Sequence, residues 1–377
     1  MNYNRISMCI FKNALSFAPQ AEVIRMKIVV LAGGLSTERA VSLVTGTSVC
    51  RALRENGHRA ILVDLFLGLE EVPADLETLF DAPDGLCPEA EIGVKEPDLA
   101  AIRASRKDQS NRLFGPNVLE LCGLADIVFL GLHGQDGEDG RIQATFDLLD
   151  IKYTGGGYLA SGLAMDKSMT KRIMDSAGVP NAPWRDIPFY TEADIPALVE
   201  ELEVPCAVKV VNGGSSIGVA LPDTKEELAQ ALEEMLRYGS HVIVEKKISG
   251  RELTIAILGD RALPAVEIIP AVKEFDYVAK YQAGGAQELC PAPITAEQQE
   301  TMGALALKLH RALGMEVYSR TDFLLDGEGN FWCLEVNSLP GMTGASLVPK
   351  EAAAAGMSYN ELCETIVQLS YQIKRRG

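Results

Sequence analysis

The chain has 377 residues, of which 47% are hydrophobic and 23% charged, and its formal net charge is −17. This length favours two or three domains over a single core, and the composition is typical of a globular protein. The negative charge argues against a general phosphate-backbone binder such as a nucleic-acid protein.

The cysteines, the histidines and the N-terminal segment argue against several kinds of protein and site. Eight cysteines without a CxxC pair and only four histidines argue against a structural zinc site, and favour reduced, mostly buried thiols in a cytoplasmic protein. No run approaches the roughly 20 apolar residues that span a membrane. Residues 1–25 lack the pattern of a signal peptide, and we expect a loose extension without a catalytic role.

The first predicted domain covers residues 26–156 and opens with a β-α-β pattern. Short apolar runs that end in glycine turns are typical of buried parallel strands. An irregular insertion at 67–117 should hold one or two short helices. This order predicts an α/β domain with sites at the carboxyl ends of its strands. The predicted elements are strands at 27–32, 59–65 and 126–132 and helices at 38–56 and near 140–150.

Two further domains, at 157–248 and 249–377, are predicted to be α+β modules. Both mix strands of alternating or apolar pattern with amphipathic helices. The predicted elements are a helix at 162–177, strands at 206–211 and 241–246 around a helix at 223–238, strands at 252–258, 262–269, 318–325 and 331–336, and helices near 295–313 and 358–374.

The two strands at 318–336 carry a candidate metal site. The turn at 326–330 predicts a hairpin. Glu335 and Asn337 are two residues apart and therefore face the same side, and Asp322 on the partner strand can face them. Carboxylate and amide oxygens suit Mg²⁺. A solvated hairpin face is the alternative for the acids alone, but Arg320 and the following PGMTG loop favour the metal site.

For four other segments, the sequence pattern alone does not decide the role. KVVNGGSSIGV at 209–219 is either an anion-binding turn, with Lys209 as a point charge, or a flexible hairpin. Glu38 either serves a site or caps a helix. His133 begins a loop whose acids fit a solvated turn. The segment 273–285 is either a mobile loop that closes over a site or an ordinary surface excursion.

Taken together and in order, the motifs resemble the D-alanine–D-alanine ligases of the ATP-grasp superfamily, over residues 27 to about 370. The resemblance implies a three-domain fold with nucleotide between the central and C-terminal domains. It also implies ATP as co-substrate, D-alanine as substrate, a product for peptidoglycan synthesis and a homodimer. The motifs are LAGGLSTERAVSL, LHGQDGEDG, YTGGGYLASGLAMDK, GGSSIGV, FDYVAKY, RTDFLLD, LEVNSLPGMTGASLVP.

The resemblance also assigns the nucleotide and metal contacts. By similarity, Asp322, Glu335 and Asn337 hold two Mg²⁺ ions, or Mn²⁺ in their place, with Glu335 bridging. The phosphates would meet Lys167, Lys209 and Lys280. The adenine and ribose segment would be Glu245, Lys246, Ile248 and Glu252.

The remaining assignments concern the two D-alanines. By similarity, Glu38 binds the ammonium of the first, and His133 lies near it. Arg320 and the N–H of Gly341 would stabilise the tetrahedral oxyanion. The carboxylate of the second D-alanine would meet Ser346 and Leu347. The residues that would latch the mobile loop are Glu38, Ser215 and Tyr281.

Two departures and three alternatives accompany the resemblance. Val210 stands where many relatives have proline, and Lys247 stands where an aromatic residue is frequent, which leaves adenine stacking open.

A ligase for D-lactate or D-serine shares the fold, but Tyr281 favours D-alanine. A non-catalytic nucleotide-binding protein is disfavoured by Arg320 and the metal cluster. A nicotinamide dehydrogenase is disfavoured because GxGxxG is missing after the first strand.

Overall fold

The computed structural model of the chain describes residues 25–88, 97–213, 218–270 and 285–375. These ranges contain three β-sheets, one parallel and two antiparallel. The seven cysteines within them are free thiols. No helix in the same ranges is long and apolar enough to cross a membrane.

The first sheet is parallel, with strand order β2-β1-β3, which confirms the predicted β-α-β opening. Gly33 and Gly34 follow β1 with φ of 77° and 82°, a conformation that glycine adopts without strain. A short 3₁₀ helix at Leu76–Asp81 lies in the insertion. The elements are β1 (Lys27–Ala32), α1 (Arg39–Glu55), β2 (Arg59–Asp64), α2 (Leu99–Ser105), α3 (Val118–Leu124), β3 (Ile127–Leu130) and α4 (Arg141–Leu149).

The predicted helix at 162–177 is wrong in detail, because two helices occupy the segment: α5 (Tyr158–Met165) and α6 (Lys167–Ala177). Asp166 separates them with an extended ψ of 102°, and its carboxylate accepts a hydrogen bond from the N–H of Met169 at 2.9 Å. An aspartate in that position caps a new helix instead of continuing the old one. The break leaves Lys167 at the start of α6.

The second sheet is antiparallel, with order β4-β7-β5-β6, and α7 and α8 pack together beside it. Thr224 and Glu227 form a reciprocal capping box that fixes the start of α8. The elements are β4 (Trp184–Ile187), α7 (Ile195–Glu201), β5 (Cys206–Val210), β6 (Val219–Ala220), α8 (Lys225–Met235) and β7 (Val242–Lys246).

The third sheet has the order β11-β10-β8-β12-β13, and β9 pairs with β8. Helices α5, α6 and α9 share a buried core with one face of it. The elements are β8 (Arg251–Leu258), β9 (Arg261–Ala262), β10 (Val266–Pro270), β11 (Ala286–Leu289), α9 (Ala296–Ala312), β12 (Tyr318–Leu325), β13 (Phe331–Asn337), α10 (Leu347–Ala354) and α11 (Tyr359–Tyr371).

The single strand predicted at 262–269 is also wrong, because β9 and β10 are separate. Pro264 lies between them and has no N–H to donate to a ladder. The neighbouring N–H groups bond elsewhere: Leu263 donates to the carbonyl of Ala256, and Ala265 to the side chain of Gln299.

The largest buried cluster joins the first and third sheets. It combines residues of β1, α1 and β3 with Ala256 and Leu258 of β8 and with Ile366 and Val367 of α11. The C-terminal helix therefore packs against α1, and the two ends of the described chain complete one core.

The buried His310 should make the fold sensitive to acid. Its ring is 2% exposed and bonds to the hydroxyl of Ser319 at 2.8 Å. Burial, assisted by the charge of Arg311, lowers the pKa of His310 to about 4. The unfolded chain takes up this proton near pH 6.5, whereas the folded chain resists it.

We therefore expect stability to fall between pH 6.5 and pH 4, by roughly 3 kcal/mol from this group. His310→Gln should flatten the fall, which thermal denaturation measured from pH 7 to pH 4.5 would detect. Parallel curves for the two proteins would contradict this.

Candidate functional site

Asp322 lies at the centre of a hydrogen-bonded cluster on three strands. Arg320 donates to both of its oxygens, through Nε and Nη2 at 2.9 Å each. The hydroxyl of Thr254 on β8 donates to Oδ1 at 2.5 Å, and the amide of Asn337 on β13 donates to Oδ2 at 3.1 Å. The carboxylate is thereby fixed in position by charge-assisted bonds.

Glu335 lies directly opposite Asp322 in the β12–β13 register. A β-bulge follows this pair, and such bulges re-aim side chains next to active sites. Lys167 of α6 approaches Glu335 at 3.8 Å, and its ammonium also bonds the carbonyl of Gly213. The helix break at residue 166 thus brings a predicted phosphate contact to a predicted metal ligand.

The donor set of this cluster fits a hard cation. Two carboxylates and an amide oxygen are the ligand types that Mg²⁺ prefers. The cluster has two carboxylates, and no group of three or more His, Cys, Asp or Glu side chains in the described ranges, here or elsewhere, is placed to hold a metal ion. A small cavity adjoins the cluster, and the residues that line it include Glu138, Lys167, Gly213, Glu335 and Asn337.

A larger cavity of about 370 Å³ lies apart from this cluster, between the C-terminal segment and α4. The residues that line it include Lys152, Tyr371 and Arg375, and none of the predicted site residues. We therefore place the candidate site at the smaller cavity, where the charged groups converge.

Glu38 and His133 lie together in the first domain. Glu38 occupies the N-cap position of α1 but its side chain makes no capping bond, so the simple capping alternative is wrong. Ser36 links the pair, since its hydroxyl donates to the carbonyl of His133 and accepts from the N–H of Glu38. The imidazole lies 2.9 Å from the Thr45 hydroxyl and 3.1 Å from the carbonyl of Leu339.

The carbonyl contact shows which ring nitrogen of His133 carries the proton. A carbonyl oxygen only accepts, so Nδ1 donates to Leu339 and Nε2 accepts from Thr45. Burial lowers the pKa of His133. A neutral imidazole therefore bridges the first domain and the loop that follows β13.

Glu138 is a site residue that the sequence did not reveal. Its loop of acids resembled a solvated turn, but the carboxylate is mostly buried, 3.9 Å from His133. Burial, followed by the charge of Glu38, raises the pKa of Glu138 well above its ordinary value. The charges of Arg320 and Glu335 also act on it. Glu138 therefore lies between the first-domain residues of the candidate site and those of the third sheet.

A buried charge cluster lies in the second sheet. Glu245 is 3% exposed, and its two oxygens lie 3.1 Å from Lys209 and 3.2 Å from Lys171. Burial alone would raise the pKa of Glu245, but the two lysines hold it below its ordinary value. Lys171 was missed, although it stands four residues after Lys167 on one helix face. Burial lowers the pKa of Lys171.

The other residues predicted to contact adenine and ribose lie where the chain passes from the second sheet to the third. Lys246 ends β7 with an exposed side chain, Ile248 follows it half-buried, and Glu252 lies on β8.

The loop between β13 and α10 holds the remaining predicted substrate residues. Ser346 is the N-cap of α10, and its hydroxyl bonds the N–H and hydroxyl of Thr343 at 3.0 and 2.8 Å. Leu347 opens the helix. Gly341 lies so close to Ser346 that a Cβ there would sit 2.9 Å from its Oγ. Three predicted residues, Ser215, Lys280 and Tyr281, lie outside the described residues.

Comparisons with known proteins identify the family of the chain. Residues 27–156 match the family model of the D-ala D-ala ligase N-terminus, and residues 173–368 match that of the C-terminus. A D-alanine–D-alanine ligase of Pediococcus pentosaceus is 42% identical over 347 residues, covering 91% of this chain and 97% of the relative. One from Lacticaseibacillus casei is 38% identical, covering 91% and 95%.

Solved structures agree as well. The D-alanine–D-alanine ligase of Bacillus anthracis complexed with ATP superposes with a TM-score of 0.69 at 29% identity, covering 92% of this chain and 97% of that one. The resemblance inferred from the sequence motifs is confirmed. The chain therefore belongs to the D-alanine–D-alanine ligase family and has its ATP-grasp fold.

Proposed function

We propose that this chain joins two D-alanines into D-alanyl-D-alanine, a peptidoglycan precursor, in the cytoplasm at the expense of ATP. The observation that carries the proposal is the convergence around one cavity of Glu138, which lies 3.9 Å from His133, with Lys167, Glu335 and Asn337. We retain the domain boundaries 26–156, 157–248 and 249–377, with ATP between the second and third domains.

In the first step, a carboxylate oxygen of the first D-alanine attacks the γ-phosphorus of ATP. The bond to the bridging oxygen of ADP breaks, which gives an acyl phosphate. Lys167 and Lys209 would clamp the phosphate charge, as phosphoryl transfer requires. Mg²⁺ held by Asp322, Glu335 and Asn337 would neutralise charge on the phosphate oxygens.

In the second step, the amine of the second D-alanine attacks the acyl carbon and phosphate leaves. Arg320 suits the developing oxyanion because Asp322 and Glu335 outweigh burial and raise its pKa, so it stays charged. Its bonds to Asp322 use Nε and Nη2, and the guanidinium carries five N–H donors in all. The N–H of Gly341 would be the second donor.

Substrate recognition follows from the same groups. The carboxylate of Glu38 would hold the ammonium of the first D-alanine, beside the neutral His133. The N-terminal end of α10, at Ser346 and Leu347, suits the carboxylate of the second, because helix N-termini favour anions. Ser215 and Tyr281 would latch the loop at 273–285, and closure would protect the acyl phosphate from water.

The first prediction concerns the activity itself. We expect ATP hydrolysis to require D-alanine, and product analysis to give the dipeptide. Glu335→Gln removes a charged metal ligand and should lower the rate at least about 100-fold. A coupled ADP assay measures the rate. A depsipeptide formed preferentially from added D-lactate would contradict the proposal, as would an unchanged rate in the variant.

The second prediction concerns Thr254, whose hydroxyl holds Asp322. Thr254→Val keeps the shape but removes the donor. Partners of metal ligands typically contribute about 10–100-fold to metal affinity or activity, so we expect a loss in that range. Thr254→Ser retains the hydroxyl and serves as the matched control. Equal Mg²⁺ titrations of activity for the two variants would contradict this role.

A homodimer is also part of the proposal. Two helices that contact each other, α4 and α5, expose Leu148, Leu149, Tyr158 and Leu159, each at least half exposed. Exposed apolar side chains on two packed helices are candidates for a protein–protein interface. A second copy of the chain is the occupant that we propose for this surface.

The third prediction tests this interface. Leu148→Lys combined with Leu159→Lys should shift the protein from dimer to monomer in analytical ultracentrifugation, because charges oppose burial. Leu221→Lys alters an equally exposed leucine beside the second sheet and should leave the dimer intact. A wild-type monomer, or a dimer that survives the double change, would refute the assignment.

A further inference from the structure

Glu351 is a buried carboxyl group that none of the steps above uses. It lies on α10, four residues after Leu347, with no solvent exposure. Its Oε2 accepts a hydrogen bond from the N–H of Ala256 at 2.5 Å. Its Oε1 has no hydrogen-bond partner among the described residues. Burying such a group is costly, so its position calls for an explanation.

The bond to Ala256 ties α10 to a defined point of the third sheet. Ala256 on β8 lies directly opposite Arg320 on β12. Ala256 also shares a core with Val348 and Ala352, which belong to the same helix as Glu351. Helix α10 thus lies over the strand position that carries the proposed oxyanion donor.

The electrostatic surroundings agree with this placement. Burial raises the pKa of Glu351 well above its ordinary value, and the charge of Asp322 adds to the effect, whereas Arg320 opposes it. Glu351 in turn raises the pKa of Arg320. The carboxyl group of Glu351 is therefore close enough to Asp322 and Arg320 to interact with both electrostatically.

The N-terminal end of α10, about one turn before Glu351, carries the proposed subsite for the second D-alanine. Ser346 does not cap the helix with its side chain. A small rotation of α10 would move Ser346 and Leu347 relative to Arg320. A displacement of about 1 Å can cost two orders of magnitude in rate, so this relative position has to be held.

We propose that Glu351 is a positioning residue for the second D-alanine, because its bond to Ala256 fixes the first turns of α10 relative to Arg320. This inference rests on the proposed function. Lys350 on the same helix pairs with Glu288 of β11. That second attachment should keep α10 docked when Glu351 is replaced, so that misalignment rather than unfolding results.

The test is steady-state kinetics of the full chain with D-alanine varied widely enough to resolve both substrate sites. Glu351→Met fills the space but cannot accept the bond, and should raise the KM for the second D-alanine about tenfold. The KM values for ATP and for the first D-alanine should stay within about twofold. Glu351→Gln retains an accepting oxygen and should restore all three values.

Glu364→Ala is the matched control, because Glu364 also ties a C-terminal helix to the core, but through His58 of the first domain at 2.8 Å and not through β8. It should lower stability without changing the KM of the second site. A second-site KM within twofold in Glu351→Met, a parallel rise in the KM for ATP, or a variant that accumulates only unfolded would each overturn the proposal. A wild-type enzyme that forms no dipeptide would instead refute the proposed function.

Discussion

The carboxylate of Asp322 is the constraint on which the site depends. It accepts two bonds from Arg320 on its own strand and one from each neighbouring strand, so it ties β8, β12 and β13 together. The orientation of Arg320 follows from this one group, and in the proposed function the position of the oxyanion donor follows with it.

Burial and neighbouring charges determine which of the other ionisable groups near the site are charged and which are neutral. Glu245 stays ionised because two lysines flank it. Glu138, Glu351 and His133 are driven toward their neutral forms, chiefly by desolvation. Negative charge is thereby concentrated where an ammonium or a cation would bind, and uncharged groups separate these positions. The arrangement limits repulsion among a large number of acids in a small volume.

The sequence predicted what depends on local periodicity. Period-two alternation and a clear turn were enough to place Glu335 opposite Asp322. The sequence could not reveal Glu138 as a buried residue, because the burial of a polar loop depends on the domain that covers it. Helix α10 was also missed, since Pro349 near its start disguises the pattern. The contact between Glu351 and Ala256 spans 95 positions in the chain, a separation that no local rule addresses.

The shared core of the first and third sheets decides which part of the molecule is able to hinge. Helix α11 packs on α1, and β8 contributes to the same cluster. Sliding these layers apart would expose apolar surface throughout. The second sheet has its own separate core. If the proposed function holds, we expect opening for nucleotide exchange to involve the second sheet, because the shared core would keep the two proposed amino-acid subsites together.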